Sequence, residues 1–297
     1  MQTFTSKVLV ICLFQILFTS QIFSQSIPTT QSTAESEVYT SQSKTIVFIH
    51  GLFQNSTSWV NWEKYFRDLG YTVYTPSFPY HEGEPTLLKQ HIHPKLADLE
   101  FKEVLDSMTI FIDKLPEKPI IIGHSIGGLL TQKLVEAGKA EMGITLASAN
   151  PRGISVLNWK YIRSNFRMVN PFRNRNKVCT PPMKWFNYTF FNTLSDSMAR
   201  EAHYNYFIPE SRKIAKSSTQ RGLEIDFNKP HVPLLFIAGE KDNDLPPSLI
   251  FKNYNAYQDS TSVKAYYEFP NKSHYIVGEP NWEDVANYIA IWIEQNR

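Results

Sequence analysis

From residue 44 onward, short apolar runs alternate with longer segments whose apolar residues recur at helical spacing. Such runs predict buried strands, and the longer segments predict amphipathic helices. The predicted strands are Thr45–Ile49, Tyr71–Thr75, Ile120–Ile122, Met142–Ala147, Val232–Ala238 and Val263–Phe269. The predicted helices are Thr57–Leu69, Leu96–Leu115, Ile126–Ala137, Pro247–Tyr257 and Trp282–Glu294. Strands that are apolar on both faces are typical of sheets covered on both sides, so we expect a doubly wound, mostly parallel α/β fold.

The alternation stops between Pro151 and Lys229, where helix-like stretches rich in aromatic residues are broken by prolines. An insertion of this length between two parallel strands predicts a helical cap over the carboxyl edge of the sheet, where such sheets place their ligands. We therefore divide the chain into an α/β core, residues 44–150 and 230–297, and a helical cap, residues 151–229.

Charge distinguishes the cap from the core. The whole chain carries a net charge of only +2, but the segment Arg152–Gly222 has 13 Lys/Arg against 3 Asp/Glu, a net of +10. Aromatic residues interrupt these charges throughout. The pattern has two interpretations: an amphipathic cap with an aromatic underside and a solvated basic face, or an apolar acyl pocket under a surface that attracts anionic groups or lipids.

The amino terminus has the pattern of a secretory signal. Lys7 is followed by the apolar run Val8–Phe18, which is too short to cross a hydrocarbon core of about 30 Å. We expect a signal peptide over residues 1–25, a flexible Ser/Thr/Gln-rich arm over residues 26–43, and a secreted or periplasmic protein; an uncleaved membrane anchor is the alternative. Cys12 lies in this leader, so Cys179 is left without an internal disulfide partner.

The segment Gly123–Gly127, with the sequence Gly-His-Ser-Ile-Gly, places Ser125 between a predicted strand and a predicted helix. A G-x-S-x-G motif in this setting forms a tight turn that exposes the serine hydroxyl, and the helix amino terminus favours negative charge beside it. Ser125 is therefore the candidate nucleophile. The alternative is a serine that only caps the helix, and such a serine would not need glycine at both flanking positions.

The motif in this context resembles the α/β-hydrolase superfamily over about residues 44–297. The resemblance implies a serine hydrolase whose nucleophile, acid and histidine follow one another along the chain. It also identifies His50-Gly51-Leu52 as the turn that supplies an oxyanion donor, so the backbone amides of Leu52 and Ile126 become the expected oxyanion hole. For His50 we prefer a structural role that braces this turn.

The same resemblance assigns the other two members of a catalytic triad. Asp242, in the turn after the strand Val232–Ala238, is the expected acid, with Asp244 and Glu240 as alternatives. We expect Asp244 to cap the helix that follows. His274, after the strand Val263–Phe269, is the expected general base.

No metal or cofactor is expected. His81, His91 and His93 lie near acidic residues, but their spacing matches no compact metal site, so we interpret them as part of a loop bordering the pocket. A serine nucleophile predicts an acyl-enzyme intermediate. The expected function is hydrolysis of small carboxylic esters with apolar or aromatic acyl groups.

Three alternatives use the same triad on another substrate: a lactonase, a thioesterase or an amidase. A non-catalytic binding protein of the same fold is a further alternative, which the complete triad disfavours. The expected partner is a small ester or lactone, with an anionic or lipid surface as a second partner through the basic cap. No nucleic acid is expected, since a secreted hydrolase rarely meets it.

Overall fold

The computed structural model describes residues 43–297 except residues 171 and 175, so the expected signal peptide and nearly all of the expected arm lie outside the described residues. The described chain forms one sheet of six strands in the order β2-β1-β3-β4-β5-β6, and every neighbouring pair is parallel. The strands are β1 Thr45–Ile49, β2 Thr72–Tyr74, β3 Ile120–His124, β4 Met142–Leu146, β5 Leu234–Gly239 and β6 Lys264–Phe269. The expected doubly wound α/β fold is confirmed.

The sheet is covered on both faces, as the apolar strand sequences require. All residues of β1, β3, β4 and β5 are buried. Along β1, Ile46 and Phe48 pack into one apolar cluster, whereas Val47 and Ile49 pack into the other. Successive side chains of a strand point to opposite faces, so a run that is apolar at every position supplies both layers of the core.

Ten α-helices flank the sheet or build the cap among the described residues. They are α1 Val60–Asp68, α2 Pro85–Gln90, α3 Phe101–Ile112, α4 Ile126–Glu136, α5 Trp159–Val169, α6 Met183–Thr189, α7 Asp196–Tyr206, α8 Arg212–Ser217, α9 Pro247–Ala256 and α10 Trp282–Gln295. None of the described helices has the length and apolar content needed to cross a membrane.

The helix predicted over Leu96–Leu115 is wrong as a single element. A 3₁₀ turn covers Leu96–Asp98, the backbone is extended at Leu99, and α3 begins only at Phe101. A capping box favours the new start: the Glu100 carboxylate accepts a hydrogen bond from the Glu103 amide, and the Glu103 carboxylate accepts one from the Glu100 amide. The Leu99 carbonyl, freed from any helix, accepts a hydrogen bond of 2.8 Å from Ser211 of the cap.

The 79-residue insertion contributes α5 to α8 between β4 and β5. Its aromatic residues fall into two groups. Phe186, Phe190, Phe191 and Phe207 are buried in the same apolar cluster as the sheet. Trp159, Phe166, Phe172 and Tyr204 are exposed on the outside. The inner group attaches the cap to the core, and the outer group leaves an apolar surface among basic side chains.

Candidate active site

Ser125 lies on the sharp turn between β3 and α4, with φ of 56° and ψ of −119°. A side chain at Gly123 would bring its Cβ to 2.1 Å from the Gly127 carbonyl oxygen, and one at Gly127 would come to 2.2 Å from the Ile49 carbonyl oxygen. Glycine is therefore required at both positions by close backbone approach. A positive φ is costly for serine and persists only where the surrounding structure enforces it, which is typical of a nucleophile turn.

The three residues predicted as the triad come together at the carboxyl edge of the sheet. His274 Nε2 lies 3.0 Å from Ser125 Oγ, and its Nδ1 donates to Asp242 Oδ2 at 2.8 Å. The second oxygen of Asp242 accepts from the amides of Asp244 and Leu245 at 2.7 and 2.8 Å. Both ring nitrogens of His274 thus have a partner, and the carboxylate of Asp242 is held in its orientation.

The electrostatics of His274 reflect its two carboxylate neighbours. Burial lowers the pKa of His274, but the charges of Asp242 and Asp244 together with the hydrogen bond to Asp242 outweigh burial, so the net shift is upward. The residue has no exposed surface. This environment stabilises the protonated, positively charged form of the ring.

The two backbone amides predicted as oxyanion donors, those of Leu52 and Ile126, donate to no acceptor within the described part of the chain. Leu52 follows β1, and Ile126 is the first residue of α4, where helix amides lack internal acceptors. Both strands feeding these turns are neighbours in the sheet. The arrangement leaves two donors free beside Ser125 for an anionic oxygen.

Asp244 does not cap the following helix, so that prediction is wrong. Helix α9 begins at Pro247 without a side-chain cap. Asp244 instead turns toward the base, with Oδ2 at 3.5 Å from His274 Nε2, and its Oδ1 accepts from Asn165 of the cap at 3.0 Å. The cause lies in the loop, because the amide of Asp244 is held by Asp242 and its side chain then points along the other side of the imidazole.

Two buried residues hold the turn that carries Leu52: Glu210, which the sequence did not single out, and His81, which it placed in a loop bordering the pocket. Glu210 of the cap accepts from the Phe53 amide at 3.0 Å, and the Ile208 amide donates to the Phe53 carbonyl at 2.8 Å. His81 Nε2 lies 3.2 Å from the Glu210 carboxylate, and neither side chain is exposed. Burial lowers the pKa of His81, but the charge of Glu210, the hydrogen bonds to Glu210 and the Pro79 carbonyl, and the charge of Glu82 together outweigh burial and raise the pKa overall. The cap thus fixes the residue next to Leu52.

The other histidines near the site have structural contacts. His50 donates from Nδ1 to the Gly51 carbonyl and accepts from the Phe78 amide, as expected for a brace of the turn. Burial and the neighbouring His81 lower the pKa of His50 to about 3, so its ring is neutral. His124 Nε2 donates to the His274 carbonyl at 2.8 Å, and so it supports the loop that carries the base.

The loop with His91 and His93 lies apart from the triad. His93 stacks on Tyr80 with ring centres 4.3 Å apart. His81 belongs to the buried pair with Glu210, so the three histidines do not converge. Across residues 43–297, apart from 171 and 175, no three His, Cys, Asp or Glu side chains form a group that would hold a metal.

Fold and site together define the class. A serine on a strand-to-helix turn, a histidine and an aspartate on later loops, all at one edge of a parallel sheet, are the arrangement of α/β hydrolases. The model of the Alpha/beta hydrolase family matches residues 46–287, and the chain belongs to this family. The protein is a hydrolytic enzyme of this fold.

Similar proteins include esterases. The chain is 26% identical, over 71% of its length and 79% of the relative, to the pimeloyl-[acyl-carrier protein] methyl ester esterase of Wigglesworthia glossinidia brevipalpis. Two solved structures resemble it in fold. One is a methylesterase from Arabidopsis, with a TM-score of 0.61, 14% identity and coverage of 84% of this chain and 98% of the other. The other is an extracellular α/β-hydrolase from a Paenibacillus species, with a TM-score of 0.63, 20% identity and coverage of 82% and 97%.

Proposed function

We propose that this protein hydrolyses carboxylic esters through an acyl-enzyme on Ser125. The observation that carries the proposal is the position of His274, within hydrogen-bond distance of both Ser125 Oγ and Asp242 Oδ2. A neutral imidazole in that position is a general base for the serine hydroxyl, and the aspartate fixes the tautomer that leaves Nε2 free to accept.

The reaction follows from these contacts. Nε2 of His274 takes the proton as Ser125 Oγ attacks the ester carbonyl, and the amides of Leu52 and Ile126 bind the oxygen that becomes negative. The imidazolium, stabilised by Asp242, then protonates the departing alcohol oxygen as the carbon–oxygen bond breaks. In the second half, His274 takes a proton from a water molecule as the water oxygen attacks the acyl carbon. The imidazolium then returns this proton to Ser125 Oγ as the bond between Oγ and the acyl carbon breaks, which releases the carboxylic acid and regenerates the serine.

The substrate class rests on two further supports. The 26%-identical relative and the fold relatives named above are esterases or hydrolases by their descriptions. The Phe190 ring packs edge-on against His274 with centres 4.8 Å apart, and Phe190 in turn contacts Phe53 and Trp185. Aromatic side chains packed around the triad favour apolar or aromatic substrates, and we assign this preference to the acyl portion of the ester.

The experiment is a turnover assay with the wild type and Ser125→Ala. A panel with one acyl group in ester, lactone, thioester and amide linkage tests the bond, since the same triad serves all four. We expect the ester to be the best substrate and Ser125→Ala to lose on the order of 10⁶ in kcat, as loss of a triad nucleophile does elsewhere. Ser260→Ala, an exposed serine in a loop, is the matched control. A Ser125→Ala enzyme that keeps a few per cent of activity would remove the assigned nucleophile.

A second partner is proposed on the outer face of the cap: an anionic lipid surface. Leu157 is 98% exposed, Trp159 73%, Phe166 55% and Phe172 94%. The cap also carries the excess of Lys and Arg described above. Exposed aromatic residues among basic ones are typical of helices that lie in the interface of an anionic membrane.

We also propose an extracytoplasmic location, supported by Lys7 and the apolar run Val8–Phe18. The Paenibacillus relative is described as extracellular. Mass spectrometry of the protein recovered from culture medium, periplasm, membrane and cytosol tests this. A mature amino terminus near Ser24–Ser26 is the expected result, and full-length protein confined to the cytosol would contradict it.

A further inference from the structure

Asp244 is a carboxylate at the reacting centre that the proposed mechanism does not use. It lies on the opposite nitrogen of the base from Asp242, with Oδ2 at 3.5 Å from His274 Nε2. Its side chain is 13% exposed, so it is not fully sealed from solvent. Among the described residues, no lysine or arginine pairs with it.

The position of Asp244 is fixed by both the core and the cap. Its amide donates to Asp242 Oδ1 at 2.7 Å. Asn165 of α5 donates to its Oδ1 at 3.0 Å and to its carbonyl at 3.2 Å. Neighbouring Ser164 donates to the Asn243 carbonyl at 2.9 Å, so one turn of α5 is attached to the whole loop. The carboxylate is held in place before any substrate arrives.

This geometry sets what Asp244 meets. The departing alcohol oxygen has to come within about 2.6–3.2 Å of His274 Nε2 to receive its proton. A group already 3.5 Å from that nitrogen therefore lies beside the alcohol portion of the ester. The acyl carbon is attacked by Ser125, and its oxygen is directed at the Leu52 and Ile126 amides. The rest of the acyl group extends from the other side of that carbon, away from the alcohol.

The charge on Asp244 depends on the groups that face it. The pKa of Asp244 is raised to about 6, mainly by burial. The charge of His274 and the hydrogen bond from Asn165 lower this pKa, and the charge of Asp242 raises it further. Tyr161 also faces it, and its own pKa is raised by burial and by Asp244, so the phenol stays neutral. At neutral pH the carboxylate is mostly ionised and meets the substrate as a negative charge.

We propose that Asp244 is a specificity-determining residue that selects esters by the charge of their alcohol portion. A leaving alcohol that carries an ammonium group is favoured, and one that carries a carboxylate is rejected. The inference rests on the proposed ester hydrolysis and adds to it the class of alcohol. The outer basic face of the cap then acts on an anionic surface, whereas the Asp244 carboxylate acts on the leaving alcohol of the substrate.

The test uses three esters of one acyl group. Their alcohols are choline, its neutral isostere 3,3-dimethylbutanol, and 4-hydroxybutyrate, which carries a carboxylate. We expect the wild type to show a higher kcat/KM for choline than for the neutral ester and a lower one for the carboxylate. Asp244→Asn should move both ratios about tenfold toward unity, lowering the choline ratio and raising the carboxylate ratio, because charges close together in a largely buried site interact strongly. Asp196→Asn, which removes an exposed cap carboxylate, is the matched control and should leave both ratios at the wild-type values.

A measurement on the wild type alone gives an independent reading. The ratio of kcat/KM for the choline and neutral esters should fall as pH drops through about 6, where Asp244 becomes neutral. Protonation of His274 slows both esters and cancels in the ratio. A ratio that is flat between about pH 5 and 8 would overturn the proposal, whether or not the variant folds.

The two proposals fail in different ways. If the neutral ester is not hydrolysed, or is hydrolysed equally by Ser125→Ala, ester hydrolysis by Ser125 is wrong. If the neutral ester is hydrolysed in a Ser125-dependent manner but Asp244→Asn leaves both charge ratios unchanged, only the role of Asp244 is wrong.

Discussion

At the scale of single residues, the two aspartates beside His274 contact different ring nitrogens. Asp242 accepts from Nδ1 at 2.8 Å and so fixes the tautomer, whereas Asp244 lies at Nε2. Asp242→Asn should lose on the order of 10⁴ in kcat on a neutral ester, because an amide favours the wrong tautomer and cannot stabilise the imidazolium. Asp244→Asn should lose far less. Steady-state kinetics of the two variants check the ranking, and the reverse order would make Asp244 the acid.

The pH dependence of the enzyme follows from His274. The reactive form of this base is the neutral imidazole, and the carboxylates of Asp242 and Asp244 raise its pKa against the effect of burial. The rate of neutral-ester hydrolysis should therefore rise with pH through a midpoint above that of a free imidazole, about 6.5. Removing one carboxylate in Asp244→Asn should move this midpoint to lower pH. Profiles of kcat/KM between about pH 5 and 9 give both midpoints; a variant midpoint equal to or above that of the wild type would contradict the argument.

Sequence alone placed the residues that meet at the site, but not the environment around them. Ser125 and its glycines are read from a local motif, because the turn is a local structure. Asp242 and His274 follow from the family resemblance. The position of Asp244 beside His274 Nε2 was missed because it depends on a hydrogen bond within its loop and on Asn165, 79 positions away. Such contacts leave no periodic pattern in the chain.

At the scale of elements, the sequence predicts the strands but not the contacts between the cap and the core. The central strands were predicted to within two or three residues, because burial on both faces requires apolar side chains at every position. The short helix Pro85–Gln90 was not predicted, since six residues are too few to show a helical period. Nothing in the sequence connects Glu210 with His81, which are 129 positions apart.

The connection between cap and oxyanion turn can be tested through Glu210. Glu210→Gln keeps an acceptor for the Phe53 amide but removes the charge that faces His81. We expect the free energy of unfolding to fall by about 1–3 kcal/mol, because a buried polar group loses its proper partner. We also expect kcat to fall more than KM rises, since the turn with Leu52 acts in the transition state.

The measurements for Glu210→Gln are urea unfolding and steady-state kinetics on a neutral ester. Glu201→Gln is the matched control, because Glu201 is an exposed glutamate on α7 of the same cap. If the contacts of Glu210 serve only stability, Glu210→Gln should lower the free energy of unfolding without changing kcat in the folded enzyme. Unchanged kcat at a temperature well below unfolding would therefore show that the cap does not position the oxyanion donors.

At the scale of the whole molecule, charge is divided between the inside and the outside of the cap. The segment Arg152–Gly222 carries a net +10, against +2 for the full chain, so the rest of the chain is acidic overall. On the inside, the buried carboxylate of Glu210 contacts His81, and the largely buried carboxylate of Asp244 lies beside His274. We therefore expect an anionic surface to be attracted to the outer face, and the alcohol portion of the proposed ester to meet a negative charge beside His274.

The outer face gives a prediction about surfaces. The wild type should sediment with vesicles that contain about one third phosphatidylglycerol and much less with pure phosphatidylcholine, because basic residues near an anionic leaflet contribute about 1 kcal/mol each. Salt at about 1 M, where the Debye length is near 3 Å, should release it. Replacing two exposed aromatic residues in Trp159→Ser/Phe166→Ser should weaken binding several-fold. Ile291→Ser, at an exposed apolar position of α10 in the core, should bind as the wild type does. Equal binding to both kinds of vesicle, or equal loss in the control, would leave the basic face as a solvated surface.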